Sequence, residues 1–254
     1  MITIASFGGG TDSTAMLIRW VKLGLPLHLV QFADTGGEKY HTYDHVQRMD
    51  SWLRTNGAPG ITIVSAPTVT LEDDCLNRKA LPSIAYGFKT CSQRFKLQPQ
   101  EKFVNKWQPA RDVWARGEKV LRLVGYDASE SRRAEKAPEG NKKYINRYPL
   151  IEWGWDRARC ISEIVSAGLP LPGKSACFFC PSSKKHEIID LKKRYPDLMQ
   201  RAIAIENNAN LTDVKGLGRD FAWRDLVNWD EKQNKLFDDS DWSTAEVPCG
   251  CYDG

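Results

Sequence analysis

Ser6-Phe7-Gly8-Gly9-Gly10-Thr11-Asp12-Ser13 is the stretch on which the fold turns, because a short apolar run, Met1 to Ser6, stops at three glycines and a helix-like pattern follows at once. From Ser13 to Leu23 the apolar residues recur at helical spacing, as at Ala15, Met16, Ile18 and Leu23. The order is strand, loop, helix. Glycines there let the backbone turn its N–H groups towards an anion, and the positive end of the helix dipole adds to the attraction. A glycine loop after a strand also occurs as a plain tight turn, and this one lacks the Gly-Lys-Ser/Thr ending of the common phosphate loop.

Working outward, Leu27 to Ala33 reads as a second buried strand, followed by Asp34-Thr35-Gly36-Gly37 and a helix carrying Val46, Met49, Trp52 and Leu53. Ile61 to Ser65 and Val120 to Gly125 read as further strands, the latter preceded by a helical stretch from Gln98 to Trp107. Strands alternating with helices predict an α/β fold, a parallel twisted sheet with helices on both faces. Asp156 is the expected N-cap of a helix running to Ala167, and Ser183 to Tyr195 reads as another. The expected organisation is a nucleotide-binding α/β region over residues 1–150 and a helical, cysteine-containing region over 151–254.

Two readings stand for the charge-dense stretch Asp127 to Lys143, a loop over a site and a solvated excursion. Its basic residues Arg132, Arg133, Lys136, Lys142 and Lys143, with Arg147, suit either a polyanion or a solvated face.

The chain has 254 residues, 41% hydrophobic and 27% charged, which is enough for a real core and speaks against disorder. A formal charge of +4 is too small to require a nucleic-acid partner. No apolar run reaches the roughly 20 residues of a membrane span, and no apolar leader precedes the first strand, so the expectation is a soluble, cytoplasmic protein. Seven cysteines in such a chain are expected to be reduced, metal-bound or catalytic.

Cys177-Phe178-Phe179-Cys180-Pro181 has the two-sulfur spacing of a tetrahedral zinc, an iron–sulfur cluster or a redox dithiol, and all three stay open on spacing alone. Cys75 and Cys160 lie in stretches that read as core or helix, where a buried thiol needs no further role. None of the four histidines has metal-ligand spacing.

Gly9, Gly10, Asp12 and Ser13 resemble the Ser-Gly-Gly-x-Asp-Ser loop of the adenine-nucleotide α-hydrolases, also called ATP pyrophosphatases. Gly8 stands where that pattern usually has serine, and Thr11 where lysine is frequent. Asp34-Thr35-Gly36 with Thr42-Tyr43 is similar to the phosphoadenosine phosphosulfate reductase branch, His41 occupying a position where that branch has glutamate. Thr90-Cys91-Ser92-Gln93-Arg94-Phe95-Lys96 with Pro99, and Gly125 with Glu130, Ser131 and Arg133, resemble two more of its segments. Asp127 stands where the branch has arginine.

The resemblance implies a HUP-like fold and a nucleotide site drawn from Ser6, Gly8, Gly9, Gly10, Thr11, Asp12, Ser13, Asp34, Thr35, Gly36, Gly125, Glu130 and Arg133. It implies ATP or an adenylyl sulfate-type nucleotide with Mg²⁺, and a [4Fe–4S] cluster, with Zn²⁺ as the alternative, on Cys91, Cys177 and Cys180, Cys249 being a candidate fourth ligand. Asp12 would orient metal and phosphate. Cys249-Gly250 also resembles the tail on which reductases of the branch carry their nucleophile, so Cys249 is a candidate catalytic thiol. Two reactions follow: adenylation of an acceptor with pyrophosphate release and then sulfur transfer, or reduction of a sulfonucleotide. A zinc-stabilised nucleotide or nucleic-acid binding module is the reading outside catalysis. The partners to expect are a small-molecule nucleotide, a nucleic-acid acceptor, and a sulfur-donor protein or thioredoxin-like reductant.

Overall fold

In the computed structural model, which describes residues 1–136 and 141–233, five strands form one sheet in the order β3-β2-β1-β4-β5 with every pairing parallel. They are β1 (Thr3–Ser6), β2 (Leu29–Asp34), β3 (Ile61–Ser65), β4 (Val120–Leu123) and β5 (Tyr144–Arg147). The first crossovers are α1 (Thr11–Lys22) and α2 (Tyr40–Thr55). After β3 come α3 (Leu71–Arg78), the short turn α4 (Thr90–Ser92), a π-helical turn over Gln93–Leu97, α5 (Gln98–Lys106) and α6 (Gln108–Ala115). β4 is followed by α7 (Ser131–Lys136), and β5 by the single turn α8 (Pro149–Glu152) and then α9 (Arg157–Ser166). The last helices are α10 (Lys185–Arg194), α11 (Pro196–Asn208) and α12 (Trp223–Gln233).

Alternation along β1 sorts its side chains to two faces, as the period of a strand requires. Ala5 packs with Val30, Leu123 and the apolar stripes of α1 and α2, including Met16, Leu17, Met49 and Leu53. Ile4 faces the opposite way, onto Leu29, Val120 and the α5–α6 residues Val104, Ala110 and Val113. Both faces are therefore covered, as expected of near-continuous apolar strands. Cys160 and Ile164 of α9 join the α1 face. A third core gathers Leu71 and Cys75 of α3 with Phe178, Phe179, Ile188, Leu198 and Trp223 from the C-terminal half.

Asp156 caps α9 as its position predicts, its carboxylate accepting from the Arg159 N–H at 2.8 Å. β5, α3, α6, α11 and α12 were not foreseen. β5 has only four residues, Tyr144-Ile145-Asn146-Arg147, of which only Tyr144 is buried, so no apolar alternation marks it in the sequence. The Asp127–Lys143 stretch is partly regular: Asp127 is buried and caps the turn Ala128–Glu130 through the Ser129 N–H at 2.9 Å, and α7 follows.

No described helix is long and apolar enough to cross a membrane.

Candidate functional site

The sheet reverses its winding between β1 and β4, and ligands of open parallel sheets bind at the carboxyl ends of strands at such a switch point. The glycine loop leaves β1 there. Gly9 has φ +74°, a conformation that disfavours any side chain, and a Cβ on it would lie 3.1 Å from Thr42. No side chain caps α1; the Ser13 and Thr14 hydroxyls instead donate back to the Gly10 carbonyl at 3.3 and 2.7 Å. The amino end of α1 thus keeps the backbone donors that an anion uses.

Gly125, just beyond β4, closes on this turn: a Cβ on it would lie 2.8 Å from Ser13 Cα and 2.9 Å from Ser13 N. Two sequence segments 112 positions apart in number, residues 13 and 125, are thereby joined by backbone contact. Asp12 is buried, and Arg157 at the start of α9 reaches it with N–O distances of 3.3 and 3.4 Å. Arg157 is the cation beside this loop that the loop's own residues do not supply, and no motif marked it. Ser6 lies apart from that role, because its hydroxyl donates to Gln100 Oε1 at 2.8 Å in the interior. Glu130 and Arg133 pair with each other, and Arg133 lies over the Tyr126 ring at 4.5 Å.

Histidine 45, also unmarked by any spacing, supports the loop from behind. Its Nε2 lies 2.9 Å from the Thr14 hydroxyl, and burial, with Arg48 and His41 adding to it, lowers its pKa to about 4. Thr14 spends its hydroxyl hydrogen on Gly10, so the neutral imidazole donates from Nε2.

Asp34-Thr35-Gly36 forms a tight turn after β2. Asp34 Oδ1 accepts from the Gly36 N–H and from the Tyr43 hydroxyl, each at 2.8 Å, and Gly36 has φ +73° with Thr70 against it. The cysteine loop docks on this turn: Glu38 and Cys177 form an antiparallel bridge and the Phe178 N–H donates to Gly37 O at 2.8 Å. A side chain at Gly37 would meet Phe179 at 2.7 Å. The Cys180 N–H donates to Cys177 O at 3.0 Å, folding the two thiols onto one side of a turn.

Cys91, Cys177 and Cys180 line one cavity together with Thr35, Lys89 and Lys96. Cys91 and Lys96 come from the segment with the π-helical turn, a feature that recurs at functional sites. Cys177 lies 3.3 Å from the Thr35 hydroxyl, and burial and then Glu38 push its thiol pKa up. Among the described residues no three His, Cys, Asp or Glu side chains form a group that could hold a metal ion, and the three thiols rim a cavity. Lys39, buried at the N-cap of α2, has its pKa lowered by burial against the opposing pull of Glu187. A second cavity, of about 330 Å³, is lined by Asp34, Gly36, Ser65, Thr68, Thr70 and others and shares Thr35 with the first.

Cys75 and Cys160 are buried thiols whose pKa values burial raises, that of Cys75 to about 12, in keeping with a packing role. Cys249 lies outside the described residues, as does the C-terminal tail around it. Within the basic stretch, Arg147 pairs with Glu152 and Lys143 donates to Asn105 at 2.6 Å, while Arg132 is exposed. The Gly216–Asp220 turn is pinned by Glu206, which accepts from the N–H groups of Leu217, Trp223 and Arg224 at 2.7, 2.8 and 3.1 Å, and Trp223 is fully buried.

No protein-family model matches the chain. Two uncharacterised proteins of Methanocaldococcus jannaschii are 22% identical over 234 residues and 25% identical over 245, covering 87% and 91% of this chain. Those alignments take in 51% and 46% of the relatives, so the chain spans about half the length of the curated relatives it matches. Among solved structures it is similar to phosphoadenylyl-sulfate (PAPS) reductase from Candida auris, a phosphate complex, with TM-score 0.46 and 19% identity over 68% of this chain and 75% of that one. It is also similar to the U34-tRNA thiolase NcsA from Methanococcus maripaludis with its [4Fe–4S] cluster, with TM-score 0.39 and 16% identity over 97% of this chain and 78% of that one. The chain's own architecture is an open α/β fold, a parallel five-stranded sheet covered by helices on both faces.

Proposed function

We propose that the protein is an adenosine-nucleotide-dependent sulfur-transfer enzyme that activates an acceptor by adenylation. The observation that carries this reading is the shared edge of the sheet: the glycine loop leaves β1 and the turn that seats Cys177 leaves the neighbouring β2, both at carboxyl ends. A nucleotide held by the first and thiols presented by the second are the two halves of such a reaction.

The backbone N–H groups at the amino end of α1 would take the polyphosphate, and the Gly125 contact holds that turn against β4. Asp12, steadied by Arg157, would hold the Mg²⁺ of the nucleotide. Attack of an acceptor oxygen on the α-phosphorus forms a P–O bond and breaks the bond to the β-phosphate, releasing pyrophosphate. A sulfur nucleophile then forms the C–S bond as the C–O bond breaks and AMP departs with its electron pair. The 330 Å³ cavity, rich in hydroxyls and adjoining the thiol cavity at Thr35, suits a polar acceptor such as a nucleoside.

Three thiols around one cavity, with Lys89 and Lys96 beside them to offset thiolate charge, fit an iron–sulfur cluster bound by Cys91, Cys177 and Cys180. Such a cluster would hold and deliver the sulfur atom.

The test is anaerobic purification with iron, zinc and sulfide analysis, on the wild type and on Cys91→Ser, Cys177→Ser and Cys180→Ser, followed by ATP turnover with nucleic-acid acceptors. Iron and sulfide lost in all three variants, with AMP and pyrophosphate formed by the wild type, is the expected result. Reduction of adenylyl sulfate without ATP would replace this reading by the reductase, and tightly bound zinc without turnover by a binding module.

A further inference from the structure

The 3₁₀ turn Ser83–Tyr86 and the residues after it form one wall of the thiol cavity, since Ile84, Lys89, Cys91 and Ser92 all line it. Ser83 fixes this wall. Its hydroxyl accepts from the Cys91 N–H at 2.9 Å and donates to Phe88 O at 3.2 Å, and its carbonyl accepts from the Phe88 N–H at 3.1 Å. Gly87 turns the chain at φ +84°, and Phe88 leaves the turn 65% exposed. A lone phenylalanine in water needs no explanation, but this one has cations beside it. Lys89 follows it, exposed at the rim of the cavity. Arg219 arrives from the Gly216–Asp220 turn and donates to Ile84 O, the same carbonyl that accepts the Gly87 N–H at 3.1 Å. It is exposed, and its φ of +64° is strained for a residue with a side chain. The buried carboxylate of this region, Asp74, is already committed to Arg78 and Arg94.

We infer that this rim docks a single-stranded RNA that carries the acceptor nucleoside, with one base stacked on Phe88 and backbone phosphates on Lys89 and Arg219. The inference rests on the acceptor reading given above and names the form in which the acceptor arrives. An exposed ring beside fixed cations suits a single strand, whose bases are open to stacking and whose backbone is anionic; in a duplex the base faces are already covered by one another. The adjoining cavity of about 330 Å³ decides between RNA and DNA. Its carboxylates, Asp34 and Asp73, repel a phosphate, yet with Ser65, Thr68 and Thr70 they offer acceptors to ribose hydroxyls, and the 2′-hydroxyl is what DNA lacks. The two cavities share Thr35, so a nucleoside seated in the second lets its strand continue across the rim of the first.

Anaerobic fluorescence anisotropy without ATP, over a series of salt concentrations, tests this with a dye-labelled RNA of about ten nucleotides and mixed sequence. The proteins are wild type, Phe88→Ala, Phe88→Trp, Lys89→Gln and Arg219→Gly; all three positions are exposed, and glycine takes the Arg219 backbone conformation without strain. Wild type is expected to bind this RNA about tenfold more tightly than duplex RNA or DNA of the same sequence. Phe88→Ala is expected to weaken binding about tenfold, and Phe88→Trp to keep it. Lys89→Gln and Arg219→Gly should each flatten the slope of log affinity against log salt by about 0.7, the share of one phosphate contact on a single strand. A wild type that binds no RNA, or binds duplex or DNA equally well, overturns the inference, as does a Phe88→Ala protein of unchanged affinity. Failure of the adenylation reading looks different: the strand binds with these losses, yet no AMP or pyrophosphate forms when ATP is added.

Discussion

Replacing His45 by glutamine tests whether the glycine loop rests on a neutral imidazole. The ring is 4% exposed, and its pKa falls from 6.5 to about 4 in the folded protein, chiefly through burial. The folded state therefore binds fewer protons than the unfolded chain between those values, and stability is complete above pH 6.5 and lost as pH falls towards 4. A gap of about 2.5 pH units corresponds to about 3 kcal/mol, of which about 2.5 kcal/mol is gone by about pH 4.5. Glutamine cannot charge, yet its amide can still donate to the Thr14 hydroxyl. His45→Gln should be less stable than wild type at about pH 7.5, by about 1 kcal/mol for poorer packing and hydrogen bonding, and more stable at about pH 4.5. Urea unfolding of both proteins at the two pH values reads this directly. Other groups that titrate in acid contribute to both proteins alike and cancel in the difference. If wild type and His45→Gln lose stability in parallel, His45 is not held neutral and the assignment of its donor to Thr14 fails with it.

Two further changes probe the frame of the site. Gly125→Ala places a methyl group 2.8 Å from Ser13 Cα, where ordinary contact begins at 3.4 Å, so the β4 end and α1 must part by about 0.6 Å. ATP affinity by calorimetry should fall about tenfold with circular dichroism unchanged, and unaltered affinity would remove Gly125 from the nucleotide site. Glu206→Gln removes the charge from three backbone hydrogen bonds and should cost about 2 to 4 kcal/mol in denaturant unfolding; a loss near zero would show that the Gly216–Asp220 turn does not depend on that carboxylate.

The strand–glycine loop–helix unit could be read from the chain because its signals are local: an apolar run, three glycines and helical spacing lie within some twenty residues. The Asp156 cap was legible for the same reason. Cys177 and Cys180 announced themselves by spacing, and Cys91 by the segment around it, yet only the fold brings these thiols to one cavity. Arg157, His45 and Glu38 left no trace, since each acts across a contact whose partner is remote in sequence. Glu38 adjoined a stretch already singled out, but a glutamate beside a glycine pair reads as a solvated turn residue until burial shows otherwise. Ser6 shows the converse, a residue that fits the loop pattern while its hydroxyl is committed to Gln100 in the interior.

The bridge between Glu38 and Cys177 joins positions 139 residues apart, and this bears on the order in which the protein is made. Contacts of such separation form late, because a long loop must be closed before they reward its closure. On a growing chain the sheet strands and Cys91 emerge well before Cys177 and Cys180, leaving the first thiol without its companions. The thiol cavity is therefore among the last parts of the molecule to be assembled, and a cluster bound there, as proposed above, would be loaded only after synthesis of the helical half.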